Sequence, residues 1–372
     1  MQALSLSLPS CLRRGALLLA SVIAVFASAA PLPGTVGVVS IKSDNPYIAY
    51  GGRIARDDHQ VTMGWSGAQV CLRFKGTSVT LQMTDDTHDN FVIAWVDGKP
   101  LDKIRLDSPD GIYSLATGLK PGEHTVEVVR VTECALGLTH FKGFTLDDTG
   151  VALPWTLPAD RRIQFIGDSI TCGYGVEVND PKADFTASTE NFCESYTGLT
   201  VRALQADYLV VARSGIGMVR NYDGPFEGND DVMPAIYPKL FYHVEDLLWN
   251  PQRFSPQVIC INLGTNDFST KGVNQEKFVT AYTEFAGKLL ADYPESKMVL
   301  LQGPMDNSEA LGAALKRIHY SLAEKFPTRV TLFTLSPQGE VGYGASYHPN
   351  RAQSQRNATE LIAYLTELMH WK

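Results

Sequence analysis

Apolar and polar positions change their rhythm once along this chain, near residue 155. Upstream, from about 36 to 150, short segments alternate or are rich in β-branched residues: 68–74, 78–83, 90–96, 125–131 and 141–146. Turn sequences separate them, among them Asp97-Gly98-Lys99-Pro100, Asp110-Gly111 and Lys120-Pro121-Gly122-Glu123. A period of two puts one face of a strand in a core and the other in water, so this spacing predicts a β-sandwich or jelly roll. No segment of helical period interrupts it.

Leu153-Pro154-Trp155 to Pro158-Ala159-Asp160, with two prolines and a polar end, reads as a linker. Beyond it, continuous apolar runs at 162–166, 208–212, 257–262, 297–302 and 329–334 read as strands. Amphipathic stretches at about 194–206, 274–292, 307–325 and 351–369 read as helices. Strands without alternation, set between helices, predict a parallel sheet covered on both faces. The segment 213–252, with Gly224-Pro225, Met233-Pro234 and Tyr237-Pro238, is irregular. Long irregular segments in this position shape clefts rather than cores.

Composition narrows the class. The chain has 372 residues, enough for two domains, each with its own core. A net charge of −8 without a basic cluster argues against a nucleic-acid partner. Arg13-Arg14, an apolar run from Ala16 to Ala27 and then Ala27-Ser28-Ala29 read as a signal peptide over residues 1–29. The run falls short of the ~20 residues that span a bilayer. Export is therefore expected, to the periplasm or the outside, with no membrane anchor.

Cys11 leaves with the signal, and five cysteines remain, a number that forbids complete intrachain pairing. Cys172 and Cys193 flank one loop, and Cys71 and Cys134 both lie in the β half, so each pair is a candidate bridge. Cys260, inside a strand, reads as a buried free thiol. No cysteine and histidine spacing suits zinc, so no metal is expected.

Candidate chemistry begins at Gly167-Asp168-Ser169-Ile170-Thr171, directly after the apolar strand. The turn puts the Ser169 hydroxyl at the carboxyl end of a strand, where open α/β sheets bind ligands. A serine hydroxyl needs a base. His348, followed by Pro349, is the histidine in a loop between the last strand and the last helix. His59, His88, His124 and His140 fall in the β half, His319 and His370 in helices, and His243 begins or precedes one. Gly264-Thr265-Asn266-Asp267 follows another apolar strand.

These blocks, with Ala212-Arg213-Ser214-Gly215-Ile216-Gly217 between them, resemble the SGNH (GDSL) hydrolase superfamily. Gly52-Arg53, Trp65-Ser66-Gly67, Phe74-Lys75-Gly76-Thr77, Val96-Asp97-Gly98, Thr132-Glu133 and Phe141-Lys142-Gly143-Phe144 resemble the β-sandwich of carbohydrate esterase family 2. Arg220-Asn221-Tyr222 and Gly303-Pro304-Met305 resemble the same family, and the similarity runs from about residue 48 to the C-terminus. The resemblance implies a jelly-roll domain over 36–150 and an α/β/α SGNH hydrolase domain over 160–372.

It also implies roles. Ser169 would be the nucleophile and His348 its base. The Ser169 and Gly215 N–H groups with the Asn266 side chain would form the oxyanion hole, Gly217 being the rival to Gly215 and helix capping the plainer role for Asn266, one its neighbour Asp267 could fill instead. Many relatives in the superfamily place an acid two or three residues before the histidine, where this chain has Ser346 and Ala345. The implied machinery is a Ser-His dyad with the imidazole N–H on a backbone carbonyl. Tyr347 and Tyr222 are candidate sugar-binding residues, with Tyr174 and Tyr237 as further cleft aromatics. The implied function is a secreted, monomeric serine esterase, free of cofactors, that removes O-acetyl groups from acetylxylan or acetylmannan through an acyl-enzyme. Two alternatives stand beside it: a lipase or thioesterase of the same fold, and a glycan-binding protein with an inactive hydrolase domain.

Overall fold

A computed structural model of the chain describes residues 37–158 and 160–372. The expected signal peptide and Cys11 lie outside the described residues.

The N-terminal part is two antiparallel sheets face to face. One runs Ile112–Ala116, Val79–Asp85, Thr139–Asp147, Val61–Met63, Ile54–Arg56, with Val38–Lys42 added along Thr139–Asp147. The other runs Val151–Leu153, Gln69–Gly76, Gly122–Arg130, Phe91–Val96, Lys99–Pro100, with Ala49–Gly51 and Ile104–Arg105 at its sides. Strand Val79–Asp85 shows the alternation that makes such a sheet: Val79, Leu81 and Met83 are buried while Thr80, Gln82 and Thr84 are half-exposed.

Phe91–Val96 breaks that rule, since all six residues are buried. Val92, Ala94 and Val96 face the sandwich core. Phe91, Ile93 and Trp95 turn the other way and join Val129 and Val131 in a cluster with Ile163, Phe165, Tyr196 and Tyr208 of the C-terminal part. The sandwich and the hydrolase half thus share an apolar seam, and each fully buried aliphatic or Phe side chain in it contributes roughly 1.5–3 kcal/mol. Trp65 Nε1, 2.7 Å from Leu240 O, and Arg53, whose Nη1 donates to Tyr237 O and Lys239 O at 2.5 Å, fasten a second contact.

The C-terminal part is a five-stranded parallel sheet in the order Asp207–Ala212, Arg162–Gly167, Val258–Asn262, Lys297–Gln302, Val330–Thr334. Helices Gln275–Asp292 and Glu309–Lys325 cover one face, and Tyr196–Ala203 and Arg351–Met369 the other. Burial on both faces explains the unbroken apolar strands. The order turns back at Arg162–Gly167, whose two neighbours lie on either side, and a crevice opens at that point in sheets of this kind. Among the described residues, no helix is long and apolar enough to cross a membrane. His243 lies in a turn and begins no helix, because Tyr237-Pro238 closes the preceding one-turn helix Met233–Ile236 and an irregular loop follows.

Candidate active site

Strand Arg162–Gly167 ends in a sharp turn. Asp168 caps the one-turn helix Ser169–Cys172, its Oδ1 accepting from Ile170 N at 3.0 Å. Gly173, at φ +83, closes the turn, a left-handed conformation that suits glycine. Ser169 is therefore held at the strand end with only 6% of its surface exposed.

His348 arrives from the other end of the domain. Its Nε2 lies 2.8 Å from Ser169 Oγ, and its Nδ1 lies 3.0 Å from Ser346 O and 3.2 Å from Ala345 O. Carbonyl oxygens only accept, so Nδ1 carries the proton and Nε2 offers its lone pair to the serine hydroxyl. The geometry needs an unusual backbone: Ser346 (φ +50) and Tyr347 (φ +61) are both left-handed. Non-glycine residues hold such conformations where surrounding contacts over-determine them. Here Ser346 N donates to Ala183 O at 3.0 Å, Tyr347 N to Pro181 O at 3.2 Å, and Gln338 Nε2 to Tyr347 O at 2.7 Å. The Tyr174 ring lies 4.2 Å from the imidazole and stacks on Phe185 at 4.0 Å. Burial pushes the His348 pKa down to about 4, opposed by its two carbonyl partners.

Opposite the serine, Gly215 (φ +77) and Asn266 complete the wall. Gly215 N–H and Ser169 N–H make no hydrogen bond among the described residues, whereas Gly217 N–H donates to Asn221 Oδ1 at 3.0 Å. Asn266 Nδ2 lies 2.8 Å from Ile216 O and 3.3 Å from Asp168 Oδ2. Burial, with a smaller push from Asp267, raises Asp168 to about 7. A cavity of about 960 Å³ brings Ser169, His348, Gly215, Asn266, Tyr222 and Tyr347 together. Tyr222 and Tyr347 stand at it 62% and 54% exposed.

Three expectations need correction. Tyr237 is not in this cavity: it packs edge-on against Phe285 at 5.4 Å and under the Arg53 guanidinium, because its loop folds back over the sandwich contact. Neither Asn266 nor Asp267 caps a helix, since the cap of Thr265–Phe268 is Gly264 at φ +122. Asp267 instead takes the N–H groups of Met218, Val219 and Arg220 at 2.8–3.1 Å. And all five described cysteines are free. Cys71 and Cys193 face Arg202 and Glu127, while Cys134 and Cys172 face Glu133 and Glu190, so neither expected pair shares surroundings. Burial raises the pKa of every one of these thiols.

Two further residues of the site, Arg220 and Glu133, stand in blocks that resemble the family, but the sequence assigned neither a role. Arg220, fully buried, donates to the carbonyls of Asn266, Asp267 and Ser269 and ties the asparagine block to the glycine block. Glu133, from the sandwich, accepts from Ser214 N at 2.7 Å. Glu133, Cys172 and Glu190 bring potential ligand atoms within 4.8 Å of one another, buried, a group that could in principle hold a metal ion. Both carboxylates are already engaged by backbone N–H groups.

A parallel sheet with a serine, a histidine, a glycine and an asparagine converging at its strand ends defines a hydrolase of the SGNH class. Residues 50–155 match the carbohydrate esterase 2 N-terminal family, and residues 165–358 match the GDSL-like lipase/acylhydrolase family. The chain is 34% identical over 342 residues to the cellulase/esterase CelE of Acetivibrio thermocellus, covering 88% of this chain and 40% of that protein. It thus spans less than half the length of that relative. It is 31% identical to an acetylxylan esterase / glucomannan deacetylase of Cellvibrio japonicus, covering 85% of this chain and 90% of that one. A family two carbohydrate esterase from Clostridium thermocellum, solved in complex with cellohexaose, superposes with a TM-score of 0.83 at 32% identity, covering 87% of this chain and all of that one. The chain belongs to carbohydrate esterase family 2.

Proposed function

We propose that this chain is an exported, monomeric serine esterase that removes acetyl groups from plant-wall polysaccharide, acetylxylan or acetylated mannan, through an acyl-enzyme on a Ser-His dyad without a cofactor. Its parts would be the sandwich, about 36–150, and the hydrolase domain, about 160–372. The observation that carries the reading is the 2.8 Å contact of His348 Nε2 with Ser169 Oγ while Nδ1 faces two carbonyls. The activity of the Cellvibrio relative and the sugar complex of the Clostridium one support the substrate class.

In the first half-reaction, Ser169 Oγ attacks the acetyl carbonyl as His348 Nε2 takes its proton. The imidazolium then has both N–H groups occupied, Nδ1 by the carbonyls of Ser346 and Ala345. Negative charge on the former carbonyl oxygen is met by the N–H groups of Ser169 and Gly215 and by Asn266 Nδ2, which exchanges its long bond to Asp168 for the oxyanion. Donors preset for that charge are worth roughly 10²–10³ in turnover each. Collapse breaks the bond to the sugar oxygen, which leaves as a hydroxyl with the proton from His348. Water, deprotonated by the same imidazole, then releases acetate from Ser169. Tyr222 and Tyr347 offer exposed ring faces on which a sugar ring can lie.

The test is acetate release from acetylated xylan and acetylated glucomannan beside hydrolysis of a long-chain p-nitrophenyl ester. Release from the glycans with little turnover of the long chain supports the proposal. The reverse preference would make the protein a lipase-like member of the fold.

A further inference from the structure

Glu133 is a carboxylate of the sandwich that the reaction above does not use, and it is 4% exposed. It stands at the start of the one-turn helix Cys134–Leu136 but makes no side-chain cap there. Its carboxylate crosses instead to the hydrolase half, with Oε2 at 2.7 Å from Ser214 N. We infer that Glu133 is a positioning residue of the oxyanion hole, holding the backbone that presents Gly215 N–H to the substrate. This rests on the esterase reading above.

Ser214 N–H and Gly215 N–H belong to consecutive peptide units joined at the Ser214 Cα, so the direction of Gly215 N–H depends on how that segment is pinned. Four bonds pin it. Arg213 N reaches Gly167 O at 3.4 Å, Ile216 N reaches Arg213 O at 3.3 Å, Ser214 N reaches Glu133, and Gly215 O accepts from Tyr222 N at 2.8 Å. Gly215 sits at φ +77 with only Tyr222 Cβ, at 3.8 Å, near the place of an added Cβ. Little packing would otherwise restrain it. The Glu133 bond is the one furnished by a buried side chain, and that side chain is itself held at both ends of its residue. Glu133 N donates to Glu190 Oε2 at 2.9 Å, and Glu133 O accepts from Arg130 Nη2 at 2.8 Å. A donor misplaced by about 1 Å can cost ~10²-fold in rate, and Glu133 does not line the cavity, so substrate binding should be spared.

The experiment measures kcat and KM for an activated acetyl ester with the wild type, E133A, E133D, E133Q and E190Q, each checked for folding by circular dichroism and Tm. E133A should lose kcat by roughly 10- to 100-fold with KM nearly unchanged, and E133D, one methylene too short for Ser214 N, should lose it similarly. E133Q keeps an acceptor oxygen and should recover most of the lost kcat. E190Q perturbs the same buried group without touching Ser214 and should keep its kcat. If E133A does not fold, E133D decides. Folded E133A or E133D with wild-type kcat, or with a raised KM alone, overturns the assignment. An inactive wild type would instead refute the esterase reading, so the two failures are distinguishable.

Discussion

His348 Nδ1 lies 3.0 Å from the carbonyl oxygen of Ser346, two residues upstream, in the place where a serine triad would set a carboxylate. The partner is backbone, so its strength does not depend on the side chain at that position. Ser346 is also left-handed, at φ +50, where glycine is more at ease. Ser346→Gly should therefore keep kcat/KM within about tenfold of wild type, against the ~10⁴-fold loss of a disabled triad carboxylate. A steady-state comparison on one acetyl ester decides it, and a loss of the larger size would show that the hydroxyl orients the imidazole.

The same relationship sets the pH dependence. Burial lowers the His348 pKa to about 4, and no negative charge is among the causes of its shift. The imidazole must be neutral to accept the serine proton, so activity rises as pH rises through that pKa and then stays level. The acid limb of kcat/KM should thus lie below the ordinary histidine value of about 6.5. A midpoint above that value would reveal an acidic partner. For stability the sign is the same: a depressed histidine pKa favours the folded state at neutral pH, and the gain is lost as pH falls through the window from 6.5 to about 4.

Asp168 acts in the opposite sense. Its carboxyl is raised from 3.8 to about 7, so the folded state binds the proton more tightly than the unfolded chain. Its contribution to stability therefore falls as pH rises from about 4 towards 7. Asp168→Asn keeps an oxygen for Ile170 N and removes the titration. The difference in Tm between variant and wild type should shift in favour of the variant as pH rises across that window. A difference that stays constant would mean that Asp168 keeps an ordinary pKa.

Asp267 offers a test of the frame beneath the site. Its carboxylate meets three backbone N–H groups, of Met218, Val219 and Arg220, all buried. Asp267→Ala strands all three donors, and each stranded donor costs about 1–3 kcal/mol. The free energy of unfolding in urea should fall by roughly 3 kcal/mol or more, with Asp267→Asn losing less because one oxygen remains. A change below about 1 kcal/mol would contradict this view of the loop.

The parallel sheet was legible because Val258–Asn262 and its neighbours are buried on both faces and so are written as unbroken apolar runs. Ser169 and His348 were legible because each sits at a strand end or before a helix, where local pattern marks the place. Strand Phe91–Val96 was legible as a strand, but not the partner of its second face, since a run of apolar residues does not say what covers it. Tyr237 and the cysteines misled for a related reason: Tyr237 follows a one-turn helix and the four cysteines of the expected pairs sit in a strand or short helical turns, and sequence proximity does not say which way such a side chain faces. Contacts such as Glu133 with Ser214, 81 residues apart, depend on the docking of two domains and have no local signature.

The measurement that bears most directly on the whole account is kcat/KM of Ser169→Ala on an activated acetyl ester, taken with circular dichroism and Tm. Ser169 Oγ meets His348 and supports no other element, so the variant should fold as the wild type does. Its turnover should fall to the background that binding and the oxyanion donors give alone, roughly 10³–10⁴ over water. A folded variant with substantial turnover, closer to wild type than to that background, would show that the nucleophile lies elsewhere.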